Sequence, residues 1–423
     1  MTALWLDLAR LVERACIGSL TGIDRVELAY AETLIAIAPQ RVRFVMLGHW
    51  SGRLAMLPDR ATRAFLTALR QAWANGRPAD CRPAALGLLV RAAVASDAPA
   101  DPSAVYLLVS HRHLHRPAAL QRALRRSQAA FVPLIHDLIP LEFPEYGRPG
   151  EADRHRRRIA TVARLADAVV VNSAATGAAL APYLPPDMPV HVAPLGVAVP
   201  IATHAPRVSE RPYFLCLGTI EPRKNHMLLL HLWRRLVARD GDSAPGLVIV
   251  GQRGWENENV LDLLDRCPAL TGHVEELGTV PDSHLTSLLR DARALLMPSF
   301  AEGFGLPVAE ALAHGTPVLC SDLLALHEAG GSVPEYLDPL DGPAWYQAVQ
   351  DYAPAISPRR QAQLGRLPTW RGTSWETHVA SVLDFVAMVS VRQPTIAAEK
   401  RALRRAIQTT LRRLPTISQT FSS

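Results

Sequence analysis

Short, unbroken apolar runs recur along this chain, and between them apolar residues return every three or four positions. The first pattern predicts strands buried on both faces, the second helices with one buried side. In the first half the runs are Leu4–Leu6, Val42–Leu47, Val105–Val109, Ala130–Ile135, Ala168–Val171 and Val190–Ala193. In the second half they are Tyr213–Leu217, Leu247–Val250, Val274–Leu277, Ala294–Met297 and Val318–Cys320. One helix is predicted from Thr21-Gly22 to about Ile37, with Val26, Tyr30, Leu34 and Ile37 on its apolar side, and another over Glu151–Leu165. Strands alternating with helices imply mostly parallel sheets covered on both faces, an α/β fold. The proline-rich, polar stretch Pro194–Pro212 interrupts the alternation and divides it into two doubly wound units.

The chemistry concentrates in Pro298–Asp322. Gly303 and Gly305 precede Pro307, a residue tolerated in the first turn of a helix because its missing N–H would be unpaired there. Gly315 and Pro317 stop that helix, and Val318–Cys320 opens the next strand. Loops at the carboxyl ends of strands are where doubly wound sheets bind ligands. Glu302 should lie before the helix and Glu310 about one turn into it, so both carboxylates can face one crevice. Ionised carboxylates only accept hydrogen bonds, which suits neighbouring hydroxyls, while N–H groups near Phe304–Leu306 suit an anion. Hydroxyls beside a phosphate describe a nucleotide sugar. Either acid alone reads more simply as a loop cap or a first-turn helix acid.

Glu302, Glu310, Phe304, Gly305, Pro307 and the turn Gly315-Thr316-Pro317 together resemble the Glu-x7-Glu signature of the retaining glycosyltransferases of GT-B fold, specifically glycosyltransferase family 4. The resemblance implies two Rossmann-like domains with a cleft between them. These would be an acceptor-binding domain over 1–197, a linker over 198–212 and a nucleotide-sugar domain over 213–370. A helix within 371–392 (Trp375–Val389) would cross back to the first domain, leaving a basic tail over 393–423. In such proteins the first Glu contacts the donor sugar and the second the ribose, which casts Glu302 and Glu310, with Gly303, Phe304, Gly305 and Leu306 around the donor.

Three further motifs fit the resemblance. Gly218–Asn225 follows the first strand of the second unit and starts a helix, where Arg223 and Lys224 can neutralise a diphosphate. The family carries a phosphate-gripping lysine there, and often an arginine directly after the glycine. Thr219 takes that place here, leaving Arg223 as the second cation. His136-Asp137 ends the strand Ala130–Ile135 and, unaided, reads as an ordinary buried histidine. The resemblance makes His136 a contact of the sugar near its reacting carbon, and Asp137 an orienter of the histidine or the loop. Thr21-Gly22 resembles the loop that closes over the diphosphate, Arg25 reads as a solvated helix position in preference to an added charge at that site, and Val280 lies where relatives hold the base.

Composition narrows the partners. Of 45 Lys+Arg, only Lys224 and Lys400 are lysines, and the net charge is +6. Arginine is in excess over acid in residues 1–205 and in the tail. A basic surface suits a phosphorylated substrate, an anionic membrane or nucleic acid. No helix-turn-helix, zinc or aromatic-platform motif is present, so nucleic acid is not expected. Two segments are candidates for lipid: the helix with Arg154, Arg156, Arg157 and Arg158, and the tail, where Leu403, Ile407, Leu411 and Leu414 form a stripe beside arginines. Solvated basic faces and a disordered tail are the alternative. Five separated cysteines read as reduced thiols of a cytoplasmic protein. Asp7, Arg10, Glu13 and Arg14 argue against a secretory leader, and no run of about 18 apolar residues occurs. Asp240-Gly241-Asp242 imitates a metal-binding Asp-x-Asp but reads as a surface turn, so no metal or other cofactor is expected.

The motifs together look like the branch of bacterial polysaccharide mannosyltransferases. The expected function is transfer of mannose from GDP-mannose to a lipid-linked oligosaccharide, at the inner face of the membrane, with Glu302, His136, Lys224 and Arg223 at the reaction. A rhamnose or glucose nucleotide is the next donor. A GT-B nucleotide-sugar epimerase and a non-catalytic nucleotide-sugar-binding protein are the rival readings.

Overall fold

The computed structural model describes residues 2–17, 21–48, 52–198 and 211–389. Residues 199–210 of the expected linker and the whole tail 393–423 lie outside the described residues. Two sheets form. The first contains β1 (Leu4–Asp7), β2 (Val42–Leu47), β3 (Leu54–Met56), β4 (Val105–Leu108), β5 (Ala130–Ile135), β6 (Val169–Val171) and β7 (Val190–Val192). Their order is β3-β2-β1-β4-β5-β6-β7, parallel except for the β2–β3 pair. The second contains β8 (Tyr213–Leu217), β9 (Gly246–Val250), β10 (Val274–Glu276), β11 (Leu295–Met297), β12 (Val318–Ser321) and β13 (Glu335–Leu337). It is wholly parallel, in the order β10-β9-β8-β11-β12-β13.

Every apolar run read above is a strand. The two strands without such a run are both at sheet edges. β3 is three residues long and antiparallel, and β13, Glu-Tyr-Leu, is only half-buried. An edge strand has one paired side, so it needs neither length nor a continuous apolar sequence. In both sheets the strand order reverses beside the first strand, between β1 and β4 and between β8 and β11. A crevice opens at the carboxyl ends of the strands at such a reversal.

The helix Gly22–Ile37 begins at Thr21, whose N–H and hydroxyl both donate to the Asp24 carboxylate at 2.6 and 2.8 Å. Glu151–Leu165 is helical as read. The helix expected to start at Arg223-Lys224 starts later. Pro222–Lys224 is one 3-10 turn, Asn225 takes a left-handed φ of 55°, and the helix runs His226–Asp240. Asparagine enters that conformation more readily than most residues, and its Nδ2 donates to the Pro339 carbonyl, far along the chain, at 3.0 Å.

Residues 375–389 form a helix on the first unit. The His378 Nδ1–H donates to the Pro194 carbonyl at 2.9 Å, and Nε2 accepts from the Tyr30 hydroxyl at 2.6 Å. Val379, Val382 and Val386 are buried along the same face, and Phe385 stacks on His191. Burial pushes the His378 pKa down from 6.5 to about 4. Above pH 6.5 the ring is neutral both folded and unfolded. Between 6.5 and about 4 only the unfolded chain gains the proton, so the contribution of His378 to stability is lost as pH falls through that window. The difference in unfolding free energy between the wild type and His378→Asn should therefore shrink by up to about 1.4 kcal/mol per pH unit from pH 6.5 towards 4. Denaturant melts at several pH values measure it; a constant difference would contradict the burial.

Candidate active site

β8 and β11 are neighbours at the reversal of the second sheet, so the loops that leave them meet. The Phe300 N–H donates to the Arg223 carbonyl at 2.8 Å, and Arg223 Nη1 donates to the Ala301 carbonyl at 3.0 Å. Glu302 then falls between two cations. Lys224 Nζ lies 2.6 Å from Oε1 and Arg223 Nη1 3.0 Å from Oε2. The Glu302 side chain is 7% exposed and that of Lys224 9%. Burial opposes ionisation of Glu302, but Arg223 and Lys224 outweigh it and hold the carboxyl at about 2. Arg223 Nε also reaches Glu221 Oε1 at 2.6 Å. Burial disfavours the Arg223 charge too, and Glu302 and Glu221 keep it protonated.

The first unit closes on the same loop. Ser173 Oγ and Thr176 Oγ1 donate to the Gly303 carbonyl at 2.6 and 3.1 Å. A Cβ on Gly303 would lie 2.1 Å from the His136 carbonyl oxygen, so only glycine permits this approach to the end of β5. Gly305, at φ 98°, turns the chain into the helix Leu306–Ala313, which carries Glu310. Tyr146 stacks on Phe300 at 5.6 Å, and the Trp255 Nε1–H donates to the Tyr146 carbonyl at 3.0 Å.

His136 is buried, and its Nε2–H donates to the Val109 carbonyl at 2.8 Å, leaving Nδ1 as an acceptor. Its backbone N–H donates to His111 Nε2 at 3.2 Å, and the rings of His111 and His155 stand 5.3 Å apart. Burial lowers the pKa of all three imidazoles. Asp137 orients the loop, not the histidine: its Oδ1 accepts from the Ile139 N–H at 3.2 Å.

A cavity of about 320 Å³ runs between the units, and Thr21, Gly22, Arg223, Lys224, Val280, Leu306 and Glu310 line it together. Glu302, Gly303, Phe304, Gly305 and His136 are not among its lining residues; Glu302 stands behind Lys224 and Arg223, and the His136 carbonyl lies against Gly303. Three expectations are corrected. The Phe304 side chain is packed in the core, because the chain turns inward two residues after Glu302, so a donor could meet only its backbone. Arg223 and Lys224 stand on a 3-10 turn, not at the start of the helix, which begins at His226. Arg25 is not simply solvated; its Nη2 lies 2.6 Å from Asp282 Oδ1 of the second unit, and its guanidinium sits 4.8 Å over the Trp73 ring. Trp73 and Arg25 line the cavity beside Glu310, whose pKa burial raises and Arg25 opposes. Neither Trp73 nor His111 carried a sequence signal, since each reads as one more apolar-face or strand-end residue. Asp240 ends a helix, paired with Arg239 at 2.5 Å, and Gly241–Ser243 is an exposed turn. Among the described residues no cluster of His, Cys, Asp or Glu is suited to a metal, and no helix is long and apolar enough to cross a membrane.

Two Rossmann-like sheets facing a cleft lined by helix starts and paired charges define a GT-B fold. Solved structures share it. The chain aligns with Anabaena HepE, solved in complex with UDP-glucose, at a TM-score of 0.59 and 15% identity, covering 94% of this chain and 100% of that one. It aligns with Staphylococcus aureus TarM, solved with UDP, at a TM-score of 0.54 and 13% identity, covering 68% and 56%. Residues 203–329 match the family described as "Glycosyl transferases group 1". The chain therefore carries a group 1 glycosyl transferase domain. Among curated relatives, it is 37% identical over 172 residues to O-antigen chain mannosyltransferase B of Escherichia coli, spanning 41% of this chain and 45% of the relative. It is 26% identical over 268 residues to the serotype-specific mannosyltransferase WbdA of E. coli, spanning 58% and 31%. A phosphatidyl-myo-inositol mannosyltransferase of Mycolicibacterium smegmatis is 38% identical over 163 residues, spanning 36% and 40%. The aligned stretches thus cover about a third to a half of these relatives.

The enclosed pairing of Glu302 with Lys224 predicts a coupling. Removing one partner strands the other charge, which costs several kcal/mol at a fully buried pair and less here, where the cavity admits water. Glu302→Gln and Lys224→Met should each lower stability, and the double variant should be more stable than the sum of the singles predicts by about 1 kcal/mol or more. Urea melts of the four proteins measure it; strict additivity would show that the pair contributes nothing.

Proposed function

We propose that this chain is a retaining glycosyltransferase that moves mannose from GDP-mannose to a lipid-linked oligosaccharide, without a metal ion. The reading rests on one observation above the others. Two cations, Arg223 and Lys224, line one inter-domain cavity together with the carboxylate Glu310, and the buried Glu302 pairs with both cations behind its wall. The names of the mannosyltransferase relatives support mannose as the sugar and a glycan as the acceptor.

Glycosyl transfer builds positive charge on the sugar ring while negative charge grows on the leaving diphosphate. Lys224 and Arg223 would meet that phosphate charge, aided by the N–H groups at the start of the helix Leu306–Ala313. Glu302, held ionised at neutral pH, can only accept hydrogen bonds and so would position sugar hydroxyls. His136, its proton on Nε2, offers Nδ1 as a further acceptor. Glu310 would take the ribose hydroxyls, with Val280 beside the base and Thr21-Gly22 over the diphosphate.

The donor follows from a thermal-shift screen of sugar nucleotides at equal concentration; GDP-mannose at about 100 times its dissociation constant should add about 2.7 kcal/mol. Transfer should survive excess chelator. Glu310→Gln should weaken GDP in calorimetry, whereas Glu302→Gln should spare GDP and lower turnover. Unchanged GDP affinity in Glu310→Gln would remove the ribose assignment. Lys224 also tests the geometry. Its ammonium, 2.6 Å from Glu302 Oε1, is a compact point charge, whereas a guanidinium is a wide planar fork. Lys224→Arg, though it keeps the charge, should lower kcat by about ten- to a thousandfold, the scale of losing one transition-state charge partner. Full activity would mean that any cation serves.

A further inference from the structure

Several contacts join the two units around the cleft, and one of them lies where it can act on the donor loop without touching the cavity. The helix Ala174–Leu180 follows β6 in the first unit, and the helix Leu324–Gly330 follows β12 in the second. Glu328 bridges them: its Oε2 accepts from the Ala174 N–H at 2.5 Å and its Oε1 from the Ala175 N–H at 2.8 Å. Both N–H groups open a helix and have no partner inside it, so the carboxylate gains two hydrogen bonds and the favourable end of the helix dipole. Beside them Ser173 and Thr176 hold the Gly303 carbonyl. Leu326, on the same short helix as Glu328, packs on the far end of that turn: a Cβ on Gly305 would lie 2.4 Å from its Cδ2. Leu326 and Phe304 are buried in one apolar cluster.

The turn Gly303–Gly305 is therefore held at one end by the first unit directly, and at the other by a helix that Glu328 ties to the first unit. We propose that Glu328 is a positioning residue for the donor site. By joining the two helices across the cleft it sets the conformation of this turn, so that closing the cleft and seating Glu302 and Glu310, which flank the turn, are one event. Glu328 does not line the donor cavity and acts only through Leu326 and the Gly303 carbonyl. It is exposed, so its truncation leaves no hole in the core, and the effect falls on the contact between the units.

Two variants of the full chain break the contact from opposite sides. Glu328→Ala removes both acceptors. Ala174→Pro removes one donor and disturbs little else: Ala174 is the first residue of its helix, where proline is tolerated, and Ser173 before it is extended, at φ −154° and ψ 156°, as proline requires. Hydrogen exchange without nucleotide is read over residues 299–313, with β8 and β9 as the control. Both variants should speed exchange over 299–313 by about two- to thirtyfold, the range for losing a helix cap, and leave the control strands unchanged. The double variant should exchange no faster than Glu328→Ala, because nothing is left to break. The kinetic arm rests on the proposed transferase reading. With the donor identified, kcat should fall by a similar factor in Glu328→Ala and by less in Glu328→Gln, which keeps one acceptor oxygen, while guanosine affinity stays that of the wild type. Unchanged exchange over 299–313 in Glu328→Ala, additive effects in the double variant, or full turnover in a variant whose loop exchanges faster overturns the inference. Absence of transfer by the wild type would count against the transferase reading alone, since the exchange result stands without it.

Discussion

A carboxylate as enclosed as Glu302 cannot stay ionised without compensation, and that requirement shapes the molecule around it. Its compensation comes from Arg223 and Lys224, which belong to a different loop. The two loops can meet only because β8 and β11 are neighbours where the strand order reverses. The backbone bonds from Phe300 to Arg223 and from Arg223 to Ala301 then fix the loops in register. Gly303, next in the chain, is delivered against His136, Ser173 and Thr176 of the first unit. One ion cluster thus links the order of the second sheet to the closure of the cleft.

The same cluster gives the cavity its electrostatic character under the proposed function. Both cations are in place before any ligand arrives, so little reorganisation is needed when phosphate charge develops. Their pairing with Glu302 and Glu221, two carboxylates against two cations, keeps the site from holding a net buried charge. Arg25, bridging to Asp282 and covering Trp73, forms the opposite wall, so the donor cavity is bounded by ion pairs on two sides.

The fold was legible because parallel strands buried on both faces must be continuously apolar, and the runs from Leu4 to Cys320 are. β3 and β13 escaped that test as edge strands with one free side. The site was legible where residues near in sequence act together, as with Glu302, Gly303, Gly305 and Glu310. Partners far apart in the chain left no trace in spacing. Arg25 meets Asp282, and the backbone of His136 meets His111, only through the packing of whole elements. Phe304 shows the opposite failure: its place in the motif suggested a ligand contact, but the turn after Glu302 aims its ring into the core.

The central claim is that Lys224 grips the donor diphosphate. Comparing the affinities of guanosine and GDP for the wild type and Lys224→Met tests it most directly. The wild type should prefer GDP over guanosine, and Lys224→Met should lose about 1.5–3 kcal/mol of that preference, the range for a hydrogen bond to a charged group, with guanosine affinity unchanged. An undiminished preference for GDP in Lys224→Met would place the diphosphate elsewhere and leave the cation beside Glu302 as a structural pair alone.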